Sequence, residues 1–172
     1  MNGINEYIPM TRRYPDLKPK QLQRDAKLAR QLINAWDIEK DEHKVMSIFI
    51  KNKDLLSHPR YWELMRTVWI VSGSVNNASI FCKLMKSDRP YRNYFMSPED
   101  EKIFQNLPDK FMVYRACNFS DDGISWTTNK EYAEFYKKRF SKDTISEMKI
   151  QKSECFAYIN RNGEEEVLIL KG

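Results

Sequence analysis

Apolar residues between Lys20 and Trp36 fall at Leu22, Ala26, Ala29, Ile33 and Trp36, in alternating steps of four and three. That spacing predicts one face of an amphipathic helix. A second helical stretch covers Val45 to Ile50 and ends near Asp54. A third starts after His58-Pro59, sets Tyr61, Leu64, Met65, Val68 and Trp69 at helical spacing, and is interrupted at Ser72-Gly73-Ser74. Ile80, Phe81, Leu84 and Met85 mark a fourth. Aromatic and Met stripes at this spacing read as packing surfaces.

Arg89-Pro90 then breaks the pattern. Ser97-Pro98-Glu99-Asp100 supplies an N-cap, a proline at the first helical position and acids in the first turn, so a short helix is expected to about Leu107. Beyond Pro108 the period changes. Phe111 to Arg115, Thr144 to Ile150, Cys155 to Ile159 and Glu164 to Leu170 read as strands, the last two joined by a hairpin turn at Asn160-Arg161-Asn162-Gly163. Thr128 with Glu131 forms a capping-box signature ahead of a helix carrying Tyr132, Phe135, Tyr136 and Phe140.

Helices first and strands afterwards is the segregated α+β pattern, with a helical region over 1–107 and a strand-rich core over 108–172. Roughly sixty residues make a marginal core alone, so the helical part is expected to pack on a small mixed or antiparallel sheet.

Composition narrows the class. No apolar run approaches the roughly 18 residues of a membrane span, and residues 1–20 lack the apolar stretch of a signal peptide, so a cytoplasmic protein with no membrane partner is expected. Cys82, Cys117 and Cys155 are widely spaced and fit a reducing compartment. Two histidines, His43 and His58, cannot build a three-histidine zinc site, and no metal is expected. The 29 Lys and Arg against 24 Asp and Glu give +5, an excess carried by residues 11–30: Arg12, Arg13, Lys18, Lys20, Arg24, Lys27 and Arg30 against Asp16 and Asp25. Such a segment is a solvated helix face or a patch for nucleic acid or an acidic partner.

Three polar clusters lie on or beside the C-terminal strands: Tyr114-Arg115, Gly123-Ile124-Ser125-Trp126-Thr127-Thr128, and Glu164-Glu165-Glu166 running into Val167-Leu168-Ile169. Each alone is ordinary. An Arg on a strand is usually a surface charge, and glutamates at a strand start keep an edge soluble. In this order they resemble the Arg-Ser-Glu class of the ADP-ribosyltransferase fold, in which an aromatic-Arg strand, a Ser-x-Ser/Thr strand and a Glu-x-Glu strand line an NAD cleft. Asn129 to Tyr136 also looks like the helix after the Ser strand in compact bacterial and phage members. The resemblance covers 111–170. Two departures stand out: Ala116 where many relatives have Gly, and a gap from Arg115 to Ser125 shorter than in the toxins.

The resemblance implies NAD as substrate, without a metal. Glu166 would stabilise the positive charge that develops on the ribose as the nicotinamide bond breaks. Glu164 would prepare the incoming nucleophile, as in arginine-directed relatives. Arg115 would hold the dinucleotide, flanked by Tyr114 and Ala116; Ser125 would orient Glu166, with Trp126 and Thr127 on the same strand. An aromatic clamp on nicotinamide falls to Tyr136, Tyr132 or Trp126. On a continuous strand, Glu164 and Glu166 share one face and Glu165 points away. The implied activity is mono-ADP-ribosylation of a protein target or nucleic acid, with NAD hydrolysis as a side activity, and the phage-type likeness suggests an effector in a host bacterial cytoplasm. The competing expectation is a non-catalytic protein that binds nucleic acid or an acidic partner through the basic N-terminal helix.

Overall fold

The computed structural model describes residues 17–72, 78–118 and 123–170. Arg12, Arg13 and Asp16 of the basic segment, and Gly73-Ser74 of the expected helix break, lie outside the described residues. Among the described residues the architecture is α+β: six α-helices and one five-stranded antiparallel sheet. The described chain divides into two compact units, 17–72 with Ser87–Pro98, and Ala78–Lys86 with the residues from Glu99 onward. The helical stretch expected over 1–107 is thus shared between the units.

In the first unit, α1 (Pro19–Asp37), α2 (Glu42–Asn52) and α3 (His58–Ser72) pack together, and a 3-10 turn at Arg92–Phe95 lies against α3. Pro19 sits at the helix start, where its missing N–H costs nothing, and the Asp41 side chain caps α2 by accepting from Lys44 N at 2.9 Å. Phe49, Tyr61, Trp62, Leu64 and Met65 are fully buried. Trp62 spends its indole N–H on the carbonyl of Pro90, 2.9 Å away, and the Arg89 guanidinium lies 4.5 Å over the Tyr61 ring.

The face that α1 buries differs from the expected one. Asp25, Leu28, Ala29, Leu32 and Ala35 are inside, while Leu22 is 43% exposed and Ala26 is exposed. Two apolar stripes overlap on this helix: Ala29 belongs to both, Ile33 and Trp36 of the expected one are half-buried, and the buried face is centred on Leu28 and Leu32. Its single polar member is compensated: Asp25 accepts from Ser57 N at 3.1 Å, from Ser57 Oγ at 2.5 Å and from Gln21 Nε2 at 2.8 Å. Asp25→Ala strands the Ser57 donors in the core, and we expect a loss of roughly 1–3 kcal/mol in urea unfolding, with Asp25→Asn milder because one acceptor remains. An unchanged midpoint for the alanine variant would show that the cluster carries no stability.

In the second unit the strands β1 (Lys110–Cys117), β2 (Ser125–Thr127), β3 (Thr144–Gln151), β4 (Ala157–Ile159) and β5 (Glu166–Leu168) form a sheet of order β3-β1-β2-β5-β4. Helices α4 (Ala78–Met85) and α5 (Pro98–Asn106) belong to this unit, apart from the first residue of α5, and α6 (Lys130–Arg139) packs on β1, β2 and β3. Its interior holds Val113, Ile124, Ala133, Ile150, Ala157, Ile159, Val167 and Leu168. Among the described residues no helix is long and apolar enough to cross a membrane.

Three local expectations change. The cap of α6 is the Asn129 side chain, which accepts from Tyr132 N at 3.1 Å, in place of a Thr128–Glu131 box. Strand β4 starts late because Lys152–Glu154 close a 3-10 turn, with Gln151 and Glu154 capping each other. Strand β5 starts at Glu166, two residues after the expected start. The turn before it is the Asn-Gly hairpin turn: Asn162 has φ 53° and Gly163 φ 79°, and Glu164 N closes the turn on Arg161 O at 3.0 Å.

Candidate functional site

Antiparallel register places the polar clusters on three neighbouring central strands. Tyr114 on β1 faces Thr127 on β2, and Thr127 faces Glu166 on β5. Directly paired residues share a face, and so do residues two apart, so Tyr114, Ser125, Thr127 and Glu166 lie on one side of the sheet. All three glutamates 164 to 166 are half-buried.

Ser125 and Glu166 meet directly, the Ser125 hydroxyl donating to Glu166 Oε1 at 2.5 Å. A hydroxyl bond of this kind fixes the carboxylate plane. Arg115 Nη1 donates to the Ser125 carbonyl at 3.2 Å, so the guanidinium is anchored to the start of β2. It passes so close to Gly123 that a Cβ there would lie 1.8 Å from Nη2 and 1.9 Å from Nη1. Gly123 is therefore the residue that admits Arg115 to this place.

Glu164 stands in a different setting from the expected one. It lies in the turn before β5, and Glu165 behind it has φ 46°, a left-handed backbone that breaks the alternation. Glu164 and Glu166 are thus not two steps along one strand face. The Glu164 carboxylate accepts from the Tyr132 hydroxyl of α6 at 2.7 Å and takes Arg161 Nη2 on both oxygens, at 3.1 and 3.2 Å. Burial, and then the bond to Glu164, hold the Tyr132 phenol above its ordinary range, so it remains a donor at neutral pH. The Glu164 carbonyl accepts from Thr127 Oγ1 at 2.6 Å, which also takes Asn129 N at 3.0 Å. One threonine hydroxyl thereby ties the glutamate turn to β2 and to the cap of α6.

Glu165 has a use of its own. Its side chain accepts from Thr128 Oγ1 at 2.5 Å and its carbonyl from Thr128 N at 3.1 Å, closing the turn onto the entry of α6. On the far side of the turn, Asp100 of α5, 3% exposed, takes Asn160 N at 2.9 Å. The hairpin that carries the glutamates is held at both ends.

The other expected residues stand as follows. Tyr114 carries Lys130 Nζ 5.5 Å from its ring centre, and Glu147 holds that lysine at 2.7 Å and raises its pKa. Ala116 is 8% exposed and opposite Ile145. Trp126 is opposite Val167, and by alternation it leaves the other side of β2 from Ser125 and Thr127. Tyr136 is 38% exposed, with its ring 6.3 Å from that of Tyr132. Of the three aromatic candidates, Tyr132 is bonded to Glu164 of the cluster. Arg161 and Asp100 went unnoticed in the sequence: the first reads as part of a turn, the second as a first-turn acid.

The assembly is a carboxylate oriented by a hydroxyl, a second carboxylate held by a phenol and a guanidinium, and a planar cation anchored between a glycine and a strand. Alternation along β1 sets Arg115 off the side that Tyr114 shares with Glu166, and Arg115 joins the cluster through the Ser125 carbonyl. The carboxylates can neutralise positive charge on a ligand, and the guanidinium can bind an anionic group. Among the described residues no group of three or more His, Cys, Asp or Glu side chains is placed to hold a metal ion. No protein-family model, curated protein or solved structure matches the chain.

Proposed function

We propose that the second unit is an NAD-dependent mono-ADP-ribosyltransferase that modifies a macromolecular target in the cytoplasm, in a host bacterium if the chain is phage-encoded. The observation that carries this reading is the Ser125–Glu166 hydrogen bond between β2 and β5, beside Arg115 on β1. The residues present suit NAD as substrate: a guanidinium for the pyrophosphate or ribose oxygens and a carboxylate for the ribose. In the reaction the bond between nicotinamide and ribose C1′ breaks, and its electron pair leaves with nicotinamide. The acceptor atom bonds C1′ and gives up a proton. Glu166 lowers the barrier by facing the charge that grows on the ribose; Glu164 takes the acceptor's proton. Water in place of the acceptor makes the same chain an NAD glycohydrolase.

Titration with NAD, followed by tryptophan fluorescence and melting temperature, tests binding, and nicotinamide release tests chemistry. Arg115→Ala is expected to weaken NAD binding by roughly 1.5–3 kcal/mol, the worth of a hydrogen bond to a charged group. Arg115→Lys recovers part of it, because an ammonium cannot form a planar fork. Equal calorimetric affinity for wild type and Arg115→Ala would remove Arg115 from the site. Labelled NAD with lysate then identifies the acceptor.

A second reading rests on the exposure of Lys18, Lys20, Arg24, Lys27 and Arg30 in and beside α1. It makes the protein a non-catalytic binder of nucleic acid or an acidic partner. DNA binding with a steep salt slope and no response to NAD would favour it.

A further inference from the structure

Helix α6 turns its smallest apolar residue inward and its largest ones outward. Ala133 is buried, while Phe135 is 57%, Phe140 51% and Tyr136 38% exposed. The sequence pattern alone makes these rings packing residues; the structure leaves them facing water. They also form a series, with the Tyr136 and Phe140 ring centres 4.3 Å apart and the Arg139 guanidinium 5.8 Å from the Phe140 ring. Over the same stretch, 135–142, stand Lys137, Lys138, Arg139 and Lys142 and no acid. The acids of α6, Glu131 and Glu134, lie toward its other end, where Lys130 is paired with Glu147.

Rings and cations are interleaved on this surface. Phe135 and Arg139 are one helical turn apart, as are Tyr136 and Phe140. A helix that lies on a membrane segregates apolar from basic residues instead. An acidic protein would satisfy the cations and leave the rings without planar partners. Single-stranded nucleic acid offers both groups in alternation, open base faces and backbone phosphates, whereas a duplex keeps its base faces stacked. We propose that this surface binds single-stranded nucleic acid, with Phe135 and Phe140 as stacking platforms and Lys138, Arg139 and Lys142 on the phosphates. The inference is independent of the NAD reading, and the surface is distinct from the basic residues of α1.

The test is fluorescence anisotropy of the full chain with labelled single strands of about 15 nucleotides, as DNA and as RNA, against a duplex of equal length. Phe135→Ala with Phe140→Ala should lower single-strand affinity about tenfold or more at an unchanged salt slope, since each stacked base is lost without losing a cation. Lys138→Gln with Arg139→Gln should instead flatten the slope by about 1.4, at roughly 0.7 per phosphate contact. All four positions are exposed, and an unchanged melting temperature confirms that folding is intact. Either sugar supports the proposal, and the difference between the two arms identifies the ligand. Single-strand binding undiminished in the phenylalanine double variant, as when α1 alone holds the strand, overturns it. So does duplex binding as tight as single-strand binding, or capture by anionic vesicles with no oligonucleotide binding.

Discussion

Under the proposed activity, Glu166→Gln is expected to cut nicotinamide release and transfer by on the order of 10²–10³ while leaving the melting temperature unchanged. The amide keeps the shape of the carboxylate and can still accept the Ser125 hydroxyl, so the contact between β2 and β5 survives. What is lost is the charge, and removing one preorganised electrostatic partner of a transition state costs on the order of 10²–10³ in rate. Ser125→Ala complements it: the charge remains but its carboxylate is free to rotate, so a smaller loss is expected. Glu165→Gln is the control, since a glutamine oxygen still accepts from Thr128 and the turn stays closed. Wild-type nicotinamide release by a folded Glu166→Gln protein would remove this residue from the reaction and, with it, the main support for the proposed activity.

What could be read from the sequence, and what could not, follows from the range of the forces involved. The α+β architecture and the positions of the α-helices among the described residues were legible, because the first four repeat a local period and the last two open on capping signals. The Asn-Gly turn was legible because both of its residues need a positive φ that few others tolerate. The buried face of α1 differs from the expected one, and it contains Asp25, whose charge no apolar spacing accommodates. Its compensation comes from Ser57, 32 residues away, and no local pattern carries that information. The start of β5 was misread for a related reason. Three consecutive glutamates look like strand continuation, but Thr127 and Thr128 pull 164 and 165 into the turn. The exposure of Phe135 and Phe140 was likewise hidden, since periodicity places residues on a face without saying what that face meets. Two buried charges did leave a trace. Asp25 lies on the apolar spacing of its helix, and Glu63, fully buried, has Arg60 and Arg66 three residues to either side; Arg60 Nη1 reaches it at 3.0 Å.

Under the proposed activity, Glu164→Gln is expected to separate activation of the acceptor from cleavage of the nicotinamide bond. Strand alternation no longer supports this division of labour, and the side-chain contacts replace it. Glu166 answers to Ser125 on β2, whereas Glu164 answers to Tyr132 on α6 and to Arg161 in the hairpin turn, so each carboxylate has partners of its own. A base with partners of its own can be lost without disturbing its neighbour. With agmatine as a small guanidinium acceptor, Glu164→Gln should lose about 10²–10⁴ in transfer, the range for a general base. Nicotinamide release to water should fall far less, by under about tenfold, because the charge facing the ribose is intact. The loss of the half-exposed Arg161 pair should itself cost no more than about 1 kcal/mol of stability, which a melting curve checks. Tyr132→Phe removes the phenol and keeps the charge, so it should impair transfer less than Glu164→Gln and in the same direction. Equal loss of transfer and hydrolysis in Glu164→Gln would make the two glutamates a single unit, and full transfer to agmatine would exclude Glu164 as the base.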